Sequence, residues 1–277
     1  MSGCDVLVER ARYAYGDLEA LRGVTLAIEA GESVALVGPN GAGKTTLTRL
    51  LVALLHPTAG RVLVGGWDVA RKRPHEMAQR VGYVFQHADQ QLFASSVRED
   101  VAFGPRRLGR SLAAVAPVID ELGLDGVASV HPYDVPPPVR KLVALAGVLA
   151  MEPCVLVLDE PTAALARAQR DVVVAALRRR AERGVTVLAV SHDIGFVAEL
   201  ADRMVVMREG RVAADRATRE LLYDVDALTA LGLRPPAAVE IGRALRLAGE
   251  PIRAAECAAA LRGSRWRDPA LLPVPPL

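Results

Sequence analysis

Residues Gly38, Pro39, Asn40, Gly41, Ala42, Gly43, Lys44 and Thr45 form a complete G-x-x-x-x-G-K-[ST] phosphate loop. The run 33–37 before it (Ser-Val-Ala-Leu-Val) reads as a buried strand, and the segment from Thr45 through Leu55 reads as a helix. A strand, a glycine-rich turn and a helix start make an anion cradle. Glycines let backbone N–H groups approach phosphate, and the helix dipole favours its charge. The loop predicts nucleoside triphosphate binding over residues 38–46, with Lys44 on the β/γ-phosphates and the Thr45 hydroxyl on Mg²⁺. Thr46 completes the cradle.

The remaining pattern alternates strands and helices. Strands are expected within 6–30, at 60–69 around a Gly-Gly turn, at 81–86, at 155–159, at 185–190 and in a hairpin around Glu209-Gly210. Helices are expected over much of 97–128, from Val139 to Met151 and over 165–183. This pattern predicts an α/β core with a largely parallel sheet. From about residue 216 the pattern is purely helical, up to a Pro-rich tail at 269–277. The expected division is therefore 1–215 and 216–277, with a helical subdomain at about 87–152.

Composition bounds the function. The net charge of +2 gives no bias toward polyanions, so no nucleic-acid partner is expected. All basic residues except Lys44, Lys72 and Lys141 are arginine, so Lys44 is not one lysine among many. Cys4, Cys154 and Cys257 are far apart and odd in number, which argues against a disulfide framework or a zinc cluster and fits a reducing cytoplasm. The longest apolar run, Leu142 to Met151, is too short to span a bilayer, and the N-terminus has no secretory apolar region. A membrane role is expected to come through a partner.

Asp159-Glu160 follows four apolar residues at a strand end. One acid there can hold the Mg²⁺ shell while the next orients the attacking water. His192 ends a second buried strand, expected beside the phosphate-loop strand, and is a candidate γ-phosphate contact. Gln86 can bridge metal or water at its strand end. Tyr15 either stacks on an adenine ring or packs in the core.

The order phosphate loop, Gln86, 156–162 (Leu-Val-Leu-Asp-Glu-Pro-Thr) and 191–193 (Ser-His-Asp) resembles the ATP-binding subunit of an ABC transporter over about residues 5–213. The stretches 84–93 and 97–105, and Gly-Leu-Arg-Pro-Pro at 232–236, resemble its energy-coupling factor group, which includes cobalt and nickel importer ATPases. The resemblance implies a P-loop ATPase core with an antiparallel β subdomain, a helical subdomain and a small helical C-terminal appendage. It implies ATP and Mg²⁺ as cofactors, with Glu160, His192 and Gln86 catalytic and Thr45, Gln86 and Asp159 around the metal. It also implies a head-to-tail dimer of ATPase subunits on the cytoplasmic face of the membrane. That dimer drives a transmembrane scaffold and a substrate-capture protein, importing a metal ion or a vitamin. The scaffold's coupling helices would dock near Gln86 and the helices that follow.

Two departures stand out. Where the family has Leu-Ser-Gly-Gly-Gln, which binds the γ-phosphate on the opposite subunit, this chain has Val135-Pro136-Pro137-Pro138-Val139. Proline has no N–H, and three in a row favour an extended polyproline turn. Where the family has Ala-Gly-Leu-Asp, this chain has Ala163-Ala164-Leu165-Ala166. Both losses affect what the chain gives its neighbour, while the residues it uses on its own ATP remain. A homodimer is expected to hydrolyse ATP poorly, and a heterodimer with a partner carrying an intact signature is expected instead. Two other readings are a clamp that binds ATP without turnover and a soluble ABC ATPase of DNA repair or translation. The latter predicts a long coiled-coil insertion or two nucleotide domains, and the sequence has neither.

Overall fold

The computed structural model describes residues 3–87 and 91–263. Two sheets organise it. The smaller contains β1 (Val6–Tyr15), β2 (Leu18–Ile28), β4 (Ala59–Val64) and β5 (Trp67–Asp68), in the order β2-β1-β4-β5 with antiparallel pairing. The larger has the order β10-β9-β3-β8-β7-β6. Its strands are β3 (Ser33–Val37), β6 (Val81–Val84), β7 (Val155–Asp159), β8 (Thr186–Val190), β9 (Arg203–Arg208) and β10 (Arg211–Ala217). β9, β3, β8, β7 and β6 pair in parallel, and only the β9–β10 hairpin is antiparallel.

The central parallel strands are short apolar runs because helices or the other sheet cover both their faces. On one face, α1 (Lys44–Leu51) lies between the two sheets. Leu47, Leu50 and Leu51 pack with Val8, Leu26 and Val62 of the small sheet and with Val34, Leu36, Val155 and Val157 of the large one. The alternate residues of β7 and β8 point the other way. There Leu156, Leu158, Val187 and Ala189 join α3 (Val97–Arg107), α4 (Val115–Glu121), α5 (Pro137–Ala150) and α6 (Arg167–Glu182) in a second cluster. Ala35, Val37, Met204 and Val206 meet a third cluster built from α7 (Ile194–Leu200), α8 (Thr218–Tyr223), α9 (Val225–Leu231) and α10 (Ala237–Ala244). A short α2 (Pro74–Met77) precedes β6, and α11 (Ala254–Gly263) packs near α10.

Several sequence expectations need correction. β6 ends at Val84, so Gln86 lies in the turn beyond it. α1 stops at Leu51 rather than Leu55. Pro136 is extended, but Pro137 and Pro138 begin α5 instead of continuing a polyproline turn. Proline is tolerated there because the first helical residues need no intrahelical donor and its φ is already helical. Cys4 and Cys154 form a disulfide, with Cα atoms 5.4 Å apart despite a sequence separation of 150. Distance along the chain says little about residues at the start of β1 and of β7, because the fold brings the two sheets together there. Cys257 is free and buried. Ala88, Asp89 and Gln90 of the family-like stretch 84–93, and the Pro-rich tail, lie outside the described residues.

Candidate functional site

The phosphate loop leaves the C-terminal end of β3 at the centre of the parallel sheet, where ligands of such sheets gather. Gly38 takes φ +139, and a Cβ there would sit 2.1 Å from the Met207 carbonyl oxygen, so only glycine lets the loop pass β9. Gly43 caps α1 at φ +97 with no side-chain cap, and no acid sits in the first turn. The positive end of α1 is therefore presented to a ligand without an internal anion to neutralise it. Lys44 Nζ donates to the carbonyls of Gly38 (2.7 Å) and Pro39 (2.9 Å), bracing the loop from inside. Burial holds the Lys44 ammonium below the ordinary lysine range, and the Glu160 and Asp159 carboxylates oppose that shift.

Asn40 through Thr46 line a cavity of about 470 Å³ together with Tyr15, Glu19, Gln86, Asp159 and Glu160. Thr45 Oγ1 donates to Asp159 Oδ2 at 2.9 Å. Burial raises the Asp159 carboxyl above the usual range, the Thr45 hydrogen bond lowers it, and the Glu160 charge raises it further. Thr46 is buried on the first turn of α1. Tyr15 is 43% exposed and meets Tyr13 edge-to-face at 4.9 Å, so it flanks the cavity instead of filling the core.

β8 lies beside β3, as the sequence led us to expect, and delivers Ser191 and His192 next to Glu160. Glu160 is buried. Its Oε1 accepts from the His192 backbone N–H at 3.1 Å and lies 2.8 Å from His192 Nδ1, while Ser191 Oγ donates to Oε2 at 3.4 Å. The His192 ring is 77% exposed and borders a neighbouring cleft shared with Gly38, Pro39 and residues 229–236, outside the 470 Å³ cavity. The structure therefore brings together Lys44, Thr45, Gln86, Asp159 and Glu160 directly, and His192 through Glu160.

At the start of α5 the donors are missing. Pro136, Pro137 and Pro138 have no N–H, and the next two, of Val139 and Arg140, both donate to the Pro136 carbonyl at 2.9 and 3.1 Å. The Arg140 side chain is also committed, with Nε on the Val135 carbonyl at 2.9 Å and Nη2 on that of Tyr133 at 2.5 Å.

Two residues near the site were not singled out from sequence. Ser191 steadies the Glu160 carboxylate, and the signal was its place in the Ser-His-Asp run. Lys141 reaches from α5 to the carbonyls of Glu160 (3.2 Å) and Ala163 (2.9 Å). Its signal was the rarity of lysine in an arginine-rich chain.

The chain is similar in sequence and fold to known proteins. The ABC transporter family pattern matches residues 21–163. An energy-coupling factor transporter ATP-binding protein of Methanothermobacter thermautotrophicus is 38% identical over 86% of this chain and 78% of its own length. A cobalt import ATP-binding protein of Rhodobacter capsulatus is 40% identical over 84% of this chain and 86% of its own. The structure of cbiO1 from Clostridium perfringens, part of the transporter complex cbiONQ, superposes with a TM-score of 0.71 at 32% identity, covering 87% of this chain and 98% of that one. The chain belongs to the ABC transporter family, as one of its ATP-binding, ATP-hydrolysing proteins.

Proposed function

We propose that this chain is the ATPase subunit of an energy-coupling factor importer for a metal ion such as cobalt or nickel, or for a vitamin. The observation that carries the catalytic part is the convergence of Lys44, Thr45, Asp159 and Glu160 on one cavity at the tip of the parallel sheet. Lys44 and the start of α1 hold the β/γ-phosphates, Tyr15 stacks on the base, and Glu160 orients the attacking water with His192 behind it. The Thr45 hydroxyl and Asp159 carboxylate, 2.9 Å apart with Gln86 on the same cavity wall, are an all-oxygen donor set of the kind Mg²⁺ takes. The bound ion would neutralise charge on the transferred phosphoryl group. Among the described residues no group of three or more His, Cys, Asp or Glu is placed to hold a metal ion; in this reading the substrate-capture protein selects the cargo.

The relatives point to a membrane setting: one is named for a transporter, another for cobalt import, and the superposed structure is part of a complex. No described helix is long and apolar enough to cross a membrane. In this reading residues 1–215 form the ATP-binding domain, residues 216–277 an appendage, and the pair of ATPase subunits sits on the cytoplasmic face beneath a transmembrane scaffold and a substrate-capture protein. The donor-free start of α5 supports an asymmetric pair. This chain's phosphate loop faces an intact Leu-Ser-Gly-Gly-Gln on a different ATPase, and that partner's loop faces Pro136–Pro138. The same feature supports a second reading, an ATP clamp with little turnover.

Mild-detergent purification of this chain from its native membrane tests the assembly. Recovery of a second ATPase with an intact signature and a membrane protein is expected. A complex holding this chain as its sole ATPase would overturn the asymmetric pair. ATP turnover by the purified complex that Glu160→Gln removes separates the enzyme from the clamp.

A further inference from the structure

The turn after β7 has an unusual backbone. Glu160 sits at φ +52 and Ala164 at φ +62, both in the left-handed region that non-glycine residues seldom adopt. Such conformations persist where neighbours over-determine them. Glu160 is fixed on one side by its N–H, which donates to the Val190 carbonyl at 2.9 Å. Its carbonyl accepts from the Ala163 N–H at 3.3 Å and from Lys141 Nζ at 3.2 Å, and Nζ also donates to the Ala163 carbonyl at 2.9 Å. Two carbonyl dipoles thus converge on one ammonium. A compact charge with rotatable donors on a flexible stem suits this geometry better than a planar guanidinium.

We propose that Lys141 is a positioning residue for ATP hydrolysis, holding the 160–164 turn so that the Glu160 carboxylate points at the attacking water. The assignment rests on reading Glu160 as the water-orienting carboxylate. Lys141 lies outside the nucleotide cavity and acts through the backbone of Glu160. It stands four residues beyond the start of α5, so it also links the helix whose start would face the partner subunit to this chain's own hydrolytic residue. The Glu160 side chain is already held at its tip by His192 and Ser191. Losing the tether at its base would tilt the carboxylate without emptying the cavity.

The test compares wild type, Lys141→Met, Lys141→Arg and Glu160→Gln in the transporter complex purified with this chain. The readouts are kcat and KM for Mg-ATP, affinity for a fluorescent ATP analogue, and Tm. The expected result is a fall in kcat of about 10- to 100-fold for Lys141→Met with analogue affinity unchanged, and partial recovery in Lys141→Arg. If Glu160→Gln is inactive while Lys141→Met keeps wild-type kcat, the proposal is overturned and the Glu160 reading stands. If Lys141→Met loses affinity, Tm and kcat together and arginine restores none of them, Lys141 is only a fold-stabilising residue and the proposal is again overturned. If Glu160→Gln keeps full kcat, the reading beneath the proposal fails and takes the proposal with it.

Discussion

Glu160 and His192, at the ends of adjacent strands, meet twice: Glu160 Oε1 lies 3.1 Å from the His192 backbone nitrogen and 2.8 Å from Nδ1. The backbone contact does not depend on how the ring is turned. Glu160→Gln can keep that contact through its amide oxygen, while losing the charge and the acceptor that faces Ser191 Oγ. We expect it to bind ATP normally and to lower kcat by roughly 10²–10⁴-fold, measured by steady-state phosphate release beside nucleotide titration.

Lys44 provides a pH signature. Its ammonium lies below the ordinary lysine range chiefly because of burial. Phosphate charge placed on it favours the protonated form and raises its pKa again. Between the lowered and the restored value, ATP binding should therefore take up protons. Titration calorimetry at alkaline pH in buffers of different ionisation enthalpy should show that uptake, and Lys44→Ala should abolish it. The same variant should lose about 10- to 100-fold in ATP affinity, the worth of charged hydrogen bonds.

The start of α5 can be rebuilt. Replacing Pro136, Pro137 and Pro138 by Ser, Gly and Gly would return N–H groups and a hydroxyl to a helix start that now offers none. We expect ATPase activity of the isolated chain, assayed as a homodimer, to rise by about 10²–10³-fold, the usual effect of a preorganised charge-stabilising donor. Unchanged turnover would contradict the assignment of this segment to the partner's nucleotide.

The Cys4–Cys154 bond closes a loop across a sequence separation of 150 residues. The chain-entropy account gives such a crosslink roughly 5 kcal/mol. Cys4→Ser, or reduction, should lower the denaturant midpoint by a corresponding amount. Reduction should have no effect on the Cys4→Ser variant.

The strand, glycine turn and helix start within residues 33–51 were legible because their signals are local. The places of Asp159-Glu160 and His192 at the ends of β7 and β8 were legible for the same reason, each following an apolar run that reads as a buried strand. What escaped depends on contacts between distant segments. The Cys4–Cys154 pair joins the segments just before β1 and β7, and the Lys141 tether joins α5 to the turn after β7. The start of α5 was misplaced because proline was read only as a helix breaker, whereas at the first helical positions it breaks nothing. The end of β6 was overrun because Phe85 continues its apolar sequence while the ladder with β7 stops at Val84.

β7 belongs to two packing clusters at once. Val155 and Val157 are buried with α1 and the small sheet, and Leu156 and Leu158 with the helices α3 to α6. Any rotation of the helical layer relative to the phosphate loop must twist this strand, or slide one of its faces over a close-packed surface. Asp159 ends it and Glu160 follows directly. Motion imposed from outside on the helices therefore reaches Asp159 and Glu160 together, as a torque on five residues, without first disturbing the glycine-rich loop after β3.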